Sequence, residues 1–331
     1  MATLGSTYLT LADLLKRTEN GKTAAEIIEM MNETNPIMQD ANALQCNDGT
    51  NHLTTIRNGL PSAVFRSLYG YVPSSKSTTE QVKDTTGMLE TYSVVDVDLV
   101  DKAESPKLFR LSESSAFIEA MNQTMQEAFF YGSTKENAAA FDGLAVRYSK
   151  ISTDNKKIGY NIIDGGGTGS DNTSIWFVTW GDQHVSLLYP NGSQAGIQHT
   201  DDGILTETNS SGAKRKVYQD HYKMDVGLTV RDWRSTCRIA NIDVSNLSTS
   251  SAADILELMR KGYYRTHKYS KTGRTVIYCN TNTLMFFESQ LQAKDNIFFT
   301  QKEYLGEMTL HYKNIPIKEA DVILDTEAQV V

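Results

Sequence analysis

The spacing of apolar residues changes along the chain, and each change predicts an element. Two short helices are expected in the first fifty residues. Thr10 to Asp13 and Thr23 to Glu26 have capping-box spacing, and Ile27, Ile28, Met30 and Met31 form an apolar face after the second. Asn35-Pro36 should stop that helix, because the residue before a proline is pushed out of the α region. Residues 91–100 alternate, with Val95, Val97 and Leu99 on one face and Asp96 and Asp98 on the other, as in a half-buried strand. Ser112 to Tyr131 carries the strongest helical stripe, through Phe117, Met121, Met125, Ala128 and Phe129. Gly132 is placed to end that helix in the left-handed conformation.

Beyond Gly132 the spacing becomes mostly that of strands: 174–180, 183–189, 226–232, 237–244 and 274–280. Gly181-Asp182 between the first two reads as a two-residue hairpin turn. Two helices interrupt the strands, one after Ser251 ending at Gly262 and one at 284–292. Residues 308–325 read as strand, turn and strand, and 164–172 and 206–214 as surface loops. The stretch 51–92 stands apart: apolar residues cluster in 63–72 and again from Tyr92, whereas 74–86 has Val82 as its only large apolar residue. That pattern suits a long two-stranded excursion with a polar tip, marginal unless it finds a partner surface; an ordinary mobile loop fits the composition as well.

Of the 331 residues 40% are hydrophobic and 22% charged, enough for a sizeable core. A net charge of −8 argues against a broad nucleic-acid-gripping face, which needs clustered Lys and Arg. Cys46, Cys237 and Cys279 are widely spaced and odd in number, as expected for free thiols in a reducing compartment. The first residues lack a basic and then apolar signal pattern, and no apolar run reaches membrane length, so a cytoplasmic product without membrane contact is expected.

Candidate chemistry is sparse. Gly21-Lys22-Thr23 resembles the end of a phosphate-binding loop, but Lys16 occupies the place of its first glycine. Gly165-Gly166-Gly167 has no strand–turn–helix context. His199, Asp201 and Asp202, with His184 as a further donor, could reach one metal ion, but a polar turn between strands is the favoured reading. Neither HExxH nor GxSxG spacing occurs. No catalytic, cofactor or metal residue is assigned, and the chain is expected not to be an enzyme.

Several short phrases follow one another in a definite order along the chain. The phrases begin with the long helix and its stop at Phe130-Tyr131-Gly132, followed by Phe141-Asp142-Gly143-Leu144. Ile175 to Val178 with Trp180-Gly181, Leu188-Tyr189-Pro190-Asn191-Gly192-Ser193 and Ala195-Gly196-Ile197 come next. Val226-Gly227-Leu228, Arg231-Asp232 and Arg238 to Asp243, including Asn241, precede Gly306, Tyr312 to Ile317 around Pro316, and Asp321 to Leu324. Residues 29–41 look similar too. In this order the phrases resemble those of the major capsid proteins of tailed bacteriophages, of the short-tailed type. The resemblance implies an α+β, Hong Kong 97-like (Johnson) capsid fold: a peripheral domain with a long spine helix and sheet, an axial domain, an N-terminal arm and an extended loop. Mapped on this chain, 1–50 is the arm, 51–92 the extended loop, and 93–243 mainly the peripheral domain with the spine at 112–131. Residues 244–299 are mainly the axial domain, and 300–331 return to the core.

The function so implied is self-assembly into pentamers and hexamers of an icosahedral shell around double-stranded DNA. Partners would be other copies of the chain, a separate scaffolding protein and a portal, with room for a cement protein. Head-to-tail surfaces of this kind close into rings. Val64, Phe65, Leu68, Tyr69 and Tyr71 are expected to anchor the loop on a neighbour. Lys76 and Lys83 lie in the loop, but no residue pattern supplies an isopeptide acceptor, so the shell is expected to be non-covalent. An encapsulin-type compartment and, further off, a β-rich metal-dependent hydrolase using His199 to Asp202 are the alternative readings.

Overall fold

A computed structural model describes residues 18–19, 23–24, 36–103, 105–247, 253–293, 299–304 and 307–331. Its strands are β1 (Thr18–Glu19), β2 (Thr23–Ala24), β3 (Ala43–Gln45), β4 (Asn51–Gly59), β5 (Thr78–Asp96), β6 (Ile162–Asp164), β7 (Asn172–Trp180) and β8 (Val185–Tyr189). They continue as β9 (Gln198–Thr208), β10 (Lys214–Val230), β11 (Cys237–Asp243), β12 (Arg274–Cys279), β13 (Phe299–Tyr304), β14 (Glu307–Tyr312) and β15 (Ile315–Glu319). The helices are α1 (Ile37–Asp40), α2 (Val97–Asp101), α3 (Pro106–Tyr131), α4 (Leu144–Arg147), α5 (Ile255–Thr266) and α6 (Thr281–Ala293).

The chain divides into two compact units. The smaller combines Met88–Gln126 and Gln194–Asp225 with the N-terminal residues. Val95, Leu99, Val100 and Phe109 form its buried cluster, with Ala103 and Tyr218 packed against them. The alternation through residues 91–100 does not hold to its end, because the strand stops at Asp96. The Asp96 carboxylate accepts the backbone N–H of Asp98 and caps α2, so Leu99 and Val100 enter the core from a helical turn. Antiparallel pairing of β9 with β10 makes a long hairpin whose register slips between Gln219 and Asp220. Only its tip is a loop, so residues 206–208 and 214 are strand rather than the surface loop expected from composition.

The larger unit comprises Thr34–Gly87, Glu127–Ser193 and Val226–Val331. β7, buried along its whole length, lies between β11 and β12, antiparallel to both. Gly181-Asp182 therefore does not close a hairpin of β7 with β8: both edges of β7 are taken, and it meets β8 only at Trp180 and Val185, in parallel. β8 pairs instead with β10, antiparallel, and with β3, parallel. β12 pairs in parallel with β15, which turns back to β14 through Lys313 and Asn314, both with positive φ (49° and 70°), as a tight I′ turn requires.

On this sheet α5 lays Ile255, Leu258, Met259, Gly262 and Thr266, a stripe of helical period. The Asp254 carboxylate accepts the Glu257 N–H and caps its start. α5 does not end at Gly262 but at Thr266, because that glycine is a packing point: a Cβ there would sit 2.9 Å from the Phe177 ring. The long helix α3 begins at Pro106 instead of Ser112, since proline suits the first helical turn, where its missing N–H is not needed. Its end also differs from expectation. Gly132 is not among the glycines of positive φ. It is required because a Cβ would lie 2.5 Å from the Phe141 carbonyl oxygen. Pro36 precedes α1 directly, and Thr23-Ala24 pair with Thr18-Glu19 as short strands. The helix expected from Thr10 and the continuation of the one expected from Thr23 lie outside the described residues.

Candidate functional site

β4 and β5 form the two arms of a hairpin, with Asn51 to Arg57 opposite Thr85 to Thr79. The polar stretch from residue 78 is thus a strand, and the apolar stretch 63–72 is the tip, the reverse of the expected arrangement. Strand pairing fixes backbone groups and tolerates polar side chains on a solvated ribbon, so polarity did not mark the turn. At the tip Phe65, Leu68, Tyr69 and Tyr71 are 109%, 88%, 98% and 98% exposed, and Val64 and Leu60 are exposed as well. Gly70 N–H bonds to the Ser67 carbonyl at 3.0 Å across a turn in which Tyr69 has φ 66°, a left-handed conformation unfavourable for a tyrosine. Burying such side chains is worth roughly 1.5–3 kcal/mol each, which this tip does not collect within its own chain.

The root of the hairpin is as fixed as its tip is bare. Asp84 on β5, 3% exposed, accepts from Arg147 Nη1 at 2.8 Å. Arg147 Nη2 also reaches the Leu228 carbonyl at 3.0 Å, tying β5, α4 and β10 together. Backbones approach closely here: a Cβ on Gly87 would lie 2.6 Å from the Ala139 carbonyl oxygen, and one on Gly227 2.6 Å from that of Thr85. His52, opposite Asp84 in register, is buried with neither ring nitrogen hydrogen-bonded. Burial, and then the charge of Arg231, holds its basicity below the ordinary histidine range. Neither Asp84 nor Arg147 stood out in the sequence; they are 63 residues apart, and no local spacing signals such a pair.

Of the phrase residues, Phe141, Leu144, Trp180, Arg238 and Asn241 are buried in the larger unit, residues 195–197 fall in the smaller one, and Gly306 lies outside the described residues. Gly143 N–H bonds to the Gly132 carbonyl at 2.8 Å, so residues 141–143 cross the end of α3, and Phe141 and Leu144 are buried beside that crossing. Trp180 stacks on Phe129 at 5.4 Å and donates to the Tyr278 hydroxyl at 3.0 Å. Arg238, buried, donates to the Tyr148 carbonyl at 2.8 Å, Ser174 Oγ at 3.0 Å and Glu327 at 2.9 Å. Glu327 also accepts from Tyr131 at 2.6 Å and from Ser174, and burial followed by this carboxylate pushes the Tyr131 phenol upward. Asn241, at φ 58°, closes a pair of hydrogen bonds with the Val330 backbone, at 2.9 and 2.8 Å. A second buried node, also silent in the sequence, joins Asp40 to Lys318 and Arg274 at 2.8 Å and to Tyr278 at 2.7 Å. Pro190 follows β8 and turns the chain, its carbonyl accepting from Ser193. Gly196 has φ 94° in open space, and Pro316 stands opposite His311 in β15. These are packing and pairing roles.

Of the residues weighed for chemistry, His199 and Asp201 join one ion-pair network through Asp220 and Arg110, whereas Asp202 and His184 bond to other residues. His199, Asp201 and Asp202 lie on β9 rather than in a turn. His199 Nε2 is 2.9 Å from Asp220, Asp201 accepts from Arg110 at 3.0 Å, and Asp202 accepts from Gln219 at 3.0 Å. The Gly203 N–H and then Arg110 hold the Asp201 carboxyl below its usual range. His184 is 2.9 Å from Thr272 Oγ1. Among the described residues no group of His, Cys, Asp or Glu could hold a metal ion, and no helix is long and apolar enough to cross a membrane. Gly165 and Gly167 pack against the Asn241 carbonyl, as a backbone crossing rather than a phosphate cradle. Gly21-Lys22 lies outside the described residues.

The family model of major capsid protein GP7 matches residues 18–331. A chain of the cryo-EM structure of bacteriophage Epsilon15 is 32% identical, with a TM-score of 0.79 over 100% of this chain and 99% of that one. The capsid of a native GTA particle is 10% identical over 66% of this chain and 94% of that chain, with a TM-score of 0.46. The SrpI encapsulin complex of Synechococcus elongatus is 10% identical over 71% and 97%, with a TM-score of 0.43. No curated protein sequence matches the chain.

Proposed function

From its membership in the family of major capsid protein GP7, to which the chain belongs, we propose that the bare tip of the β4–β5 hairpin is the arm by which one subunit grips the next. The chain is a capsid shell protein with a Hong Kong 97-like fold. Beyond that, the subunits close as pentamers and hexamers of an icosahedral shell around double-stranded DNA, after assembly in the host cytoplasm. Val64, Phe65, Leu68, Tyr69 and Tyr71 anchor on a neighbouring subunit. Residues 51–92 act as the extended loop, the helix ending at Tyr131 as the spine and 244–299 as most of the axial domain. A separate scaffolding protein and a portal complete the assembly, with room for a cement protein.

One observation carries this reading: the most exposed aromatic residues sit at the end of a ribbon whose root is locked by a buried ion pair. A ribbon held firmly at one end presents its tip in a fixed place, which lowers the ordering cost of association. Each contact need be only modest, because a subunit makes several at once. Net charge of −8 leaves packaged DNA free to move along the wall.

The test is electron microscopy of the full chain expressed alone and with a candidate scaffold. Closed shells, filled with DNA when isolated from infected cells, are expected. A lasting monomer under both conditions, or particles holding protein cargo as an encapsulin does, would overturn the proposal.

A further inference from the structure

Several strands of this chain have a single partner among the described residues, and two of them, β4 and β9, bear on assembly. β4 ends its sheet, with β5 as its sole neighbour, and β9 is paired with β10 alone. An open edge offers a row of backbone donors and acceptors to any extended chain that reaches it. The two edges differ in charge. β9 carries Asp201, Asp202 and Glu207 and no lysine or arginine. Asp201 is paired with Arg110 and Glu207 with Arg215, whereas Asp202 accepts from the neutral Gln219 amide. β4 carries Arg57 and no acid.

β4 is also set beside a cleft of about 1000 Å³, lined by all residues from Leu53 to Leu60 and, opposite them, by Lys156, Arg231, Arg234 and Tyr269. Asp232 in this cleft is taken by Arg234 in a two-bond pair at 2.8 and 2.9 Å, which leaves Arg57, Lys156 and Arg231 to set the sign of the space. The lengths agree as well. Residues 51–57 of β4 form one regular window before the register slips at Asn58, and residues 203–208 of β9 form another after the slip at Asp202. Ile204 is exposed in that window and is apolar enough to cover the Leu53 and Leu60 side of the cleft.

We infer that the cleft beside β4 receives the β9 edge of a second copy of this chain, which adds to the hairpin as a further strand. The inference rests on the self-assembly reading and specifies one contact within it. Backbone pairing supplies attraction, and Arg57 and Lys156 facing Asp202 select this edge. Because donor and acceptor edges are different, the contact is head-to-tail and propagates around a ring.

Shells of the full chain test this by amide exchange and by charge exchange. In shells, backbone amides of 51–57 and 203–208 should exchange at least about a hundredfold more slowly than in unassembled subunits. Arg57→Glu with Lys156→Glu should lower shell yield at least about tenfold, and adding Asp202→Lys should restore it. Unchanged exchange at either edge, full assembly of the reversed subunit, or failure of the exchanged pair to restore yield would overturn the inference. The exchange measurement needs no variant, so it stands even where a substitution impairs folding. If the unmodified chain forms no shells at all, the self-assembly reading itself falls, which is a different outcome from shells with unprotected edges.

Discussion

Arg147 and Asp84 meet at 2.8 Å with 15% and 3% of their side chains exposed, and this pair anchors the root of the hairpin that bears the apolar tip. Removing one member leaves the other charge buried without its partner, which costs about 3–5 kcal/mol. Asp84→Ala and Arg147→Ala are each expected to lower subunit stability by about that much in urea unfolding. The double variant should be less destabilised than the sum of the two, and a purely additive result would show that the pair is not coupled.

A charge at the tip should act quite differently. Phe65→Asp or Tyr69→Asp changes residues that touch solvent, so the melting temperature of the isolated subunit should stay the same. Shell formation, followed by sedimentation, should fall at least about tenfold, because the side chain lost is an aromatic anchor. Normal shells from these variants would mean that the anchoring residues lie elsewhere.

Gly132 and Gly143 are needed for space rather than for an unusual φ. A Cβ on Gly143 would lie 2.6 Å from the Ala128 carbonyl oxygen, against backbone that cannot step aside. Gly143→Ala is expected to cost more than about 2 kcal/mol in chemical unfolding, by forcing the chain away from the end of α3. Gly192→Ala, at φ 90° in open space, should cost only about 1 kcal/mol.

The cysteines report on burial. Burial pushes the Cys46 thiol up to about 11, with Asp84 adding to it, and pushes Cys237 and Cys279 up to about 12. In the unfolded chain these thiols ionise near 9, so above that pH the unfolded state loses protons that the folded state keeps. Stability should therefore fall as pH rises from about 9 towards 11, by about 1.4 kcal/mol per pH unit for each thiol. Below pH 9 these groups contribute no slope. Urea unfolding between pH 8 and 10.5 checks the sign, and a thiol reagent at pH 8 should label the folded subunit far more slowly than the unfolded chain.

Local pattern by itself determined a good part of this protein. The stripe through Met121, Met125 and Phe129 marked the long helix, the runs at 174–180 and 237–244 marked strands, and the order of short phrases pointed to the capsid family. Such signals are legible because helical and strand periods are set by residues within a few positions of one another. Tertiary structure alone decided the rest. Gly181-Asp182 looks like a hairpin turn until both edges of β7 are seen to be occupied, and Gly262 looks like a helix end until Phe177 is found against it. Asp84 with Arg147, and Arg238 with Glu327, have no local signature, since a buried charge is specified by whatever side chain the fold brings within reach. The apolar tip and polar arms of the β4–β5 hairpin belong to the same class. Polarity records what a residue finally faces, and the exposed tip of this ribbon faces nothing that its own strand pattern could reveal.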